Sequence, residues 1–275
     1  MLKTRLITAS LLIAILVSAL FYATPMVWSL LVGAFVLVGF WEWGRIIKLS
    51  QIIQQWLMIA ALAACLFIIH AFNTSYVRLN ERVILTFVML SALIWLVFVP
   101  YSLATQHKLE NHQPFMTLVG FVLLCSTLIA FIGLHRISPW LLLGVIATVG
   151  IADSAAYFAG KNFGKHKLAP TISPGKTWEG VVGALIAVTI YGLVLRHFLQ
   201  YSGWMIVGLW SITIVSIMGD LFESKLKRLA KLKDSGQILP GHGGVLDRID
   251  GLMPAMTLTL FYIYLPLIFS KKVPF

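Results

Sequence analysis

The sequence is poor in charged residues, which make up only 11% of its 275 positions, whereas hydrophobic residues make up 59%. With so few charges, a mean hydropathy of +0.91 lies far outside the range of soluble globular domains. The apolar runs are long enough to cross the roughly 30 Å hydrocarbon core of a bilayer as helices. The sequence therefore predicts an all-α, polytopic integral membrane protein.

Cysteine is also scarce, since Cys65 and Cys125 are the only two and both fall inside predicted spans. Thiols in such places are typically buried and inert. Neither a disulfide framework nor a cysteine zinc site is supported. The sequence also lacks an internal repeat, a low-complexity tract and a small-residue cleavage site after its first apolar run, so we interpret that run as a membrane anchor and not as a signal peptide.

We predict about nine transmembrane helices in a single membrane domain, 1–275. An odd number of spans places the two termini on opposite sides of the membrane. Residues 1–135 are expected to be mainly scaffold, and residues 136–275 are expected to carry a site that faces the cytoplasm. The approximate spans are 6–23, 26–43, 53–72, 84–103, 114–133, 139–159, 179–199, 203–222 and 252–270.

The orientation follows from lysine and arginine, because cytoplasmic loops carry the excess of both. Fifteen of the 21 such residues fall on one side of the predicted bundle, together with the N-terminus and the two long polar segments 160–178 and 223–251. This bias explains much of the net charge of +11 and gives no indication of nucleic acid as a partner. The remaining clusters favour phosphate-bearing ligands or anionic lipid headgroups. At the end of the second span, Glu42 and Arg45 could reach a cytoplasmic cavity, but we prefer the interpretation that they snorkel to the interface.

The eighth span ends in a row of polar residues with helical spacing. If the helix continues beyond residue 222, the row lies on one face. A solvated juxtamembrane helix with internal ion pairs is the alternative. However, Asp220 sits at the end of an apolar span, where an ionisable group is costly, so we expect it to hold a cation. The row consists of Asp220, Glu223, Ser224, Lys227 and Arg228.

A glycine-rich segment follows, with Pro240, Gly241, Gly243 and Gly244 on either side of His242. This composition breaks regular structure and lets backbone amides approach a phosphate closely.

Asp247 and Asp250 come next, with Arg248 between them, and would share a face in a helical turn. Carboxylates of this kind suit magnesium, which takes one or two of them and completes its shell with water and substrate phosphates. The spacing does not match a calcium-binding EF-hand.

A second polar region begins in the sixth span with Asp153 and Tyr157. A carboxylate inside an apolar helix indicates a functional site, whereas Tyr157 could equally be an interfacial anchor. The glycines of 160–165 have the wrong spacing for a phosphate loop, and no strand precedes them.

The segment 173–180 leads into the seventh span. Thr177 is a plausible N-cap, and Glu179 lies favourably in the first turn. Lys176 beside a helix N-terminus is unfavourable unless an anion also binds there, so it is a candidate phosphate contact.

The tract Ser224–Asp250 resembles the signature of the phosphatidate cytidylyltransferase (CDP-diglyceride synthase) family. The shared pattern is S-x-aliphatic-K-R, four residues, K-D-x-small, and then P-x-H-G-G-aliphatic-x-D-R-aliphatic-D, with every fixed position occupied. The resemblance extends to 153–157, 164–165, 173–177 and 219–224, and so covers most of residues 150–251.

This resemblance implies a reaction of CTP with phosphatidate, giving CDP-diacylglycerol and pyrophosphate at the cytoplasmic face of a bacterial inner membrane. Membrane lipid is then a partner and nucleic acid is not, while a homodimer stays an open possibility. The implied cofactor is magnesium (Mg2+). We hypothesise that Asp220 and Asp247 hold it, with Asp153, Glu223 and Asp250 as further or outer ligands.

The resemblance also assigns roles to individual residues. The implied catalytic residues are Asp220, Lys227, Arg228, His242, Asp247 and Arg248. The implied substrate contacts are Tyr157, Ser173, Lys176, Thr177, Glu223, Ser224, Lys233, Asp234, Gly243 and Gly244. The implied metal ligands are Asp153, Asp220, Asp247 and Asp250.

Three other functions compete with this one. Asp247–Gly251 resembles part of the pattern of the CDP-alcohol phosphotransferases, but the remaining Asp and Arg residues of that pattern are absent from the sequence. A CTP-dependent polyprenol kinase would use the same nucleotide with an apolar acceptor. A transporter would use Asp153 and Asp220 as titrating groups inside the membrane, but broken helices or paired repeats are not evident in the sequence.

Overall fold

A computed structural model describes residues 14–73, 77–105, 112–200, 202–238 and 243–270, without the side chains of 77–81 and 266–270. Helices α1 to α10 are, in order, Pro25–Ile46, Gln51–Asn73, Val77–Leu93, Val99–Ala104, Gln113–Ile137, Pro139–Phe163, Trp178–Leu199, Trp204–Ala230, Leu246–Ile249 and Leu252–Ser270. A π-helical turn, Ile94–Phe98, joins α3 to α4, and residues 14–22 are also helical.

The described residues contain seven helical segments that are long and apolar enough to cross a membrane, one of them the continuous run Arg82–Ala104. The prediction of a helical membrane protein with several spans is therefore confirmed. The count of nine is not confirmed. Most of the first predicted span, 6–23, lies outside the described residues, and the side chains of the last one, α10, are described only as far as residue 265.

Local sequence sets where several helices begin. The hydroxyl groups of Thr24, Ser138 and Thr177 accept hydrogen bonds from backbone N–H groups in the first turns of α1, α6 and α7. Such caps satisfy donors that have no partner inside the helix. Proline follows the cap in α1 and α6, where its missing N–H costs nothing.

The segment 160–178, expected to be a loop, contains a small antiparallel sheet. Strand β1, Lys167–Ala169, pairs with β2, Ser173–Thr177, and Lys167 lies opposite Thr177. Strands this short carry too little alternation to be recognised from the sequence. The all-α prediction therefore holds except for this hairpin.

Helix α5 is the centre of the bundle, because 78% of its most apolar 18-residue window is buried inside the protein, compared with 22% to 44% for the other candidate spans. Helices α6 and α7 form a close pair next to it. A side chain at Gly183 would come within 2.4 Å of the Ala159 Cβ atom. Small residues allow two helices in a membrane to approach this closely. Gly183 therefore serves the close packing of α6 against α7.

The polar segments gather at one end of the bundle, which we call the site end. There the Gln113 side chain donates to the Lys48 carbonyl (2.8 Å), and Arg228 Nε donates to the Ile172 carbonyl in the hairpin (3.4 Å). At the opposite end, Arg136 donates to Asn73 (2.9 Å). The hairpin and the end of α8 are thus brought together beside the bundle.

Candidate active site

The polar row on the eighth span lies on one continuous helix, because α8 runs to Ala230. Ser224 Oγ donates to Asp220 Oδ1 (3.2 Å), and Lys227 Nζ donates to Glu223 Oε2 (2.7 Å). Both pairs are one helical turn apart, as the spacing predicts. The conditional prediction of a shared face is confirmed.

Lys227 connects α8 to the signature loop. Its Nζ also donates to Asp247 Oδ1 at 2.5 Å. The side chains of Lys227, Glu223 and Asp247 are only 11%, 2% and 8% exposed. One cation therefore serves two buried carboxylates, and Glu223 Oε1 has no partner among the described residues.

The second oxygen of Asp247 is held by the loop itself. Asp247 Oδ2 accepts hydrogen bonds from Gly244 N (2.8 Å), Ser235 N (2.9 Å) and Ser235 Oγ (3.0 Å). Burial raises the pKa of the Asp247 carboxyl, but the hydrogen bonds from Lys227, Gly244 and Ser235 outweigh burial and hold this pKa below its ordinary value. Asp247 is therefore an ionised group that organises its surroundings.

Gly243 shows why this loop needs glycine. Its φ of +82° lies in the left-handed region, and a Cβ atom there would come within 2.6 Å of Asp247 Oδ2. Only glycine has the required conformation and leaves the carboxylate in place.

Asp250 lies beside Asp220 where α9 meets α10. A side chain at Gly219 would come within 2.3 Å of the Asp250 carbonyl, so α8 passes directly over this point. Burial, and then the nearby charge of Asp220, raise the pKa of Asp250 to about 7. Two carboxylates from separate segments thus repel each other at this position.

The hairpin supplies the cation for Asp220. Lys176 Nζ in β2 lies 2.6 Å from Asp220 Oδ2. Asp153 in α6 is within electrostatic range of both charges. Asp220 thus pairs directly with Lys176, and the charge of this lysine also acts on Asp153 and Asp250.

This arrangement is not a complete metal site. Among the described residues, no group of three or more His, Cys, Asp and Glu side chains could hold a metal ion. The expected convergence of acidic side chains from several spans on one bound ion stays a prediction. Asp247, one of the two expected ligands, already has both oxygens engaged by Lys227, Ser235 and Gly244.

Magnesium nevertheless needs only one or two carboxylates from the protein. Asp220 and Asp250 fit this requirement best, because their mutual repulsion is what a divalent cation would relieve. The cofactor and the ligand assignments stay predictions.

Other predicted site residues have different surroundings. Thr177 is buried and caps α7, accepting from Gly180 N at 3.1 Å. Tyr157 is 62% exposed and packs against Phe158, an arrangement that suits the interfacial anchor. Ser173 lies on β2, Lys233 and Asp234 are exposed in the segment after α8, and Arg248 is exposed on α9. His242, Pro240 and Gly241 lie outside the described residues.

Glu42 is the residue that the sequence interpretation got wrong. It does not snorkel, because it is 0% exposed and accepts hydrogen bonds from Leu246 N (2.8 Å), Ser235 Oγ (2.9 Å) and Val245 N (3.0 Å). Its one signal in the sequence is that it is the only acidic residue among the first 80 positions. Arg45, by contrast, is exposed and lies 4.8 Å from the centre of the Trp41 ring, as snorkelling predicts.

Comparison with known proteins gives matches along nearly the whole chain. The cytidylyltransferase family matches residues 3–266. A phosphatidate cytidylyltransferase of Haemophilus influenzae is 35% identical over 96% of this chain and 99% of its own length. One from Pseudomonas aeruginosa is 36% identical over 93% of this chain and 94% of its own. One from Staphylococcus saprophyticus is 44% identical over 49% of this chain and 50% of its own.

Proposed function

Because the chain belongs to the cytidylyltransferase family, we propose that it transfers the cytidylyl group of CTP to phosphatidate. The products are CDP-diacylglycerol and pyrophosphate. The observation that carries the proposal within the site is the contact between Lys176 and Asp220, which joins the hairpin to the end of a membrane-spanning helix. A cation and carboxylates are thus available where a lipid phosphate would meet a nucleotide.

The transfer of the cytidylyl group requires charge neutralisation more than proton transfer. The second pKa of a phosphomonoester is about 6, so the attacking phosphatidate oxygen is largely ionised at neutral pH. That oxygen forms a bond to the α-phosphorus of CTP, the bond from this phosphorus to the α–β bridging oxygen breaks, and pyrophosphate leaves with the electron pair. The barrier lies in bringing two anions together in line.

The basic residues around the site are suited to this task. Lys176, Arg228 and Arg248 contact phosphates of the two substrates and stabilise the departing pyrophosphate. Lys227 keeps Glu223 and Asp247 in place through its two ion pairs.

Asp220 and Asp250 would hold the magnesium ion, and Asp153 lies close enough to support them electrostatically. When bound, magnesium supplies positive charge against the triphosphate.

The site end faces the cytoplasm of a bacterial inner membrane, where CTP is available. The distribution of lysine and arginine supports this orientation. In the described part of the chain, the site end carries Lys161, Lys165, Lys167, Lys176 and most of the other basic residues, whereas the opposite end carries few, including Arg136 and Arg196.

The test is an assay with CTP labelled at its α-phosphate, phosphatidate and magnesium, on detergent-purified protein. We expect the label in lipid. Label that remains in CDP would instead indicate a lipid kinase, and no turnover of CTP would contradict both enzymes. Chelation with EDTA should abolish the reaction, and added magnesium should restore it.

Two lysines of the hairpin give a matched comparison in the same assay. We expect Lys176→Ala to raise the KM for CTP or to slow turnover, whereas Lys167→Ala, at an exposed position on β1, should leave both unchanged. Equal kinetics of the two variants would return Lys176 to a purely structural role.

A further inference from the structure

We propose that Glu42 is a positioning residue for the reaction, acting from α1 through Ser235 and Asp247 on Lys227. The inference rests on the proposed function and deepens it, because it assigns a role in the site to a residue in the part of the chain that the sequence predicts to be mainly scaffold. Glu42 does not belong to the signature tract, and Ser235, its partner in that tract, is 193 positions away.

Glu42 completes the backbone of the signature loop. Val245 N donates to Glu42 Oε1 at 3.0 Å, and Leu246 N donates to Oε2 at 2.8 Å. These amides open the four-residue helix α9, and the first N–H groups of a helix have no acceptor within it. The Glu42 carboxylate, with one oxygen for each amide, therefore fixes where α9 begins. It thereby also fixes the position of Asp247, which lies in α9.

Ser235 links Glu42 directly to Asp247. Its hydroxyl oxygen lies 2.9 Å from Glu42 Oε2 and 3.0 Å from Asp247 Oδ2. A hydroxyl group has a single hydrogen to donate, so the two carboxylates share it. Any shift of Glu42 therefore changes how Asp247 is held, and Lys227 follows because its Nζ contacts Asp247 Oδ1.

The signature loop packs tightly against the Glu42 carboxylate. A side chain at Gly236 would come within 2.2 Å of Glu42 Oε1, and one at Gly244 within 2.4 Å of the same atom. Both glycines bring the loop backbone against the carboxylate. Such close approach is a reason for glycine at these two positions.

The position of α1 does not depend on Glu42 alone. The neighbouring Trp43 is buried, and its Nε1 donates to the Met116 carbonyl at 2.9 Å. Phe40 is fully buried in the same core. A variant of Glu42 that preserves its size should therefore still fold, which makes a positioning role separable from a purely structural one.

The first experiment is Glu42→Gln in detergent-purified protein. The amide NH2 group of glutamine would face one of the two donor N–H groups, so one of these hydrogen bonds is lost. We expect kcat/KM to fall by about 10- to 100-fold per folded molecule, since small displacements of positioning groups cost on this order. Ser29→Ala is the matched control, because Ser29 is also fully buried on α1 but bonds only to its own helix at the opposite end. It should match the wild type.

The second experiment is a double-mutant cycle with Ser235→Ala. If both residues act through the hydroxyl shared with Asp247, Glu42→Gln should cost much less in the Ser235→Ala background than in the wild type. If the losses of kcat/KM in Glu42→Gln and Ser235→Ala simply multiply in the double variant, the inference is overturned. A Glu42→Gln protein that retains wild-type kcat and KM would also overturn it.

Two further outcomes are decisive. If Glu42→Gln fails to fold, Ser235→Ala alone must lower kcat/KM in folded protein, and unchanged kinetics there contradict the proposal. If the wild-type protein does not transfer label from CTP to lipid, the proposed function fails, whereas an active wild type with an equally active Glu42→Gln variant removes only the role of Glu42.

Discussion

Lys227 lies between two carboxylates that come from different parts of the chain. Glu223 belongs to the same helix, and Asp247 belongs to the signature loop. All three side chains are largely buried, so each charge depends on the others for compensation. This dependence predicts a large effect on stability as well as on activity.

We expect Lys227→Met to lower the free energy of unfolding by about 3–5 kcal/mol, the usual cost of removing one partner from a buried ion pair. Thermal unfolding in detergent can be followed with a thiol-reactive dye, because Cys65 and Cys125 are both buried in the folded protein. Lys231→Met is the control, since Lys231 is exposed at the C-cap of α8. Equal melting temperatures for the two variants would contradict the assigned role.

Among the helices, the start of α7 distinguishes between two roles predicted for Thr177. Thr177 was predicted both as an N-cap and, from the family resemblance, as a substrate contact. The structure shows the cap and places the side chain in a buried position against Gly160 and Gly164. A residue with so little exposed surface contributes to binding only through the helix that it caps.

Thr177→Ala should therefore destabilise the protein by about 1 kcal/mol, the typical cost of losing an N-cap, and leave the KM for CTP unchanged. Thr24→Ala removes the equivalent cap of α1 and should give a similar loss. Melting temperature and steady-state kinetics of both variants check this. An increase in KM that is confined to Thr177→Ala would restore the direct contact with substrate.

For the whole molecule, the proposed orientation can be tested with introduced thiols. Lys167→Cys places a thiol on the exposed hairpin at the site end, and Ser202→Cys places one at the exposed connection between α7 and α8. The two native cysteines are buried and should stay unreactive.

We expect a membrane-impermeant maleimide to label Lys167→Cys only in inside-out vesicles and Ser202→Cys only in right-side-out vesicles, as the excess of basic residues at the site end predicts. The reverse pattern would place the site outside the cell and away from CTP. Detergent-solubilised protein provides the control for full reactivity of both thiols.

Much of this molecule follows from the sequence because a membrane-spanning helix satisfies its backbone hydrogen bonds within one segment. Long apolar runs therefore predicted the helical membrane fold, and the spacing from Asp220 to Arg228 predicted one shared face on α8. The signature predicted the family to which the comparisons then assigned the chain. All of these features are local along the chain.

Which distant charges meet depends on how the helices pack in the folded bundle. In the folded protein, Lys176 pairs with Asp220, and the two oxygens of Asp247 bind Lys227 and the backbone of the signature loop. Glu42 is buried beneath the same loop. Glu42 and Leu246 are 204 positions apart, and no local spacing reports a contact over that distance. Such partners depend on which helix faces pack together, and that is settled by the shape and burial of the whole bundle.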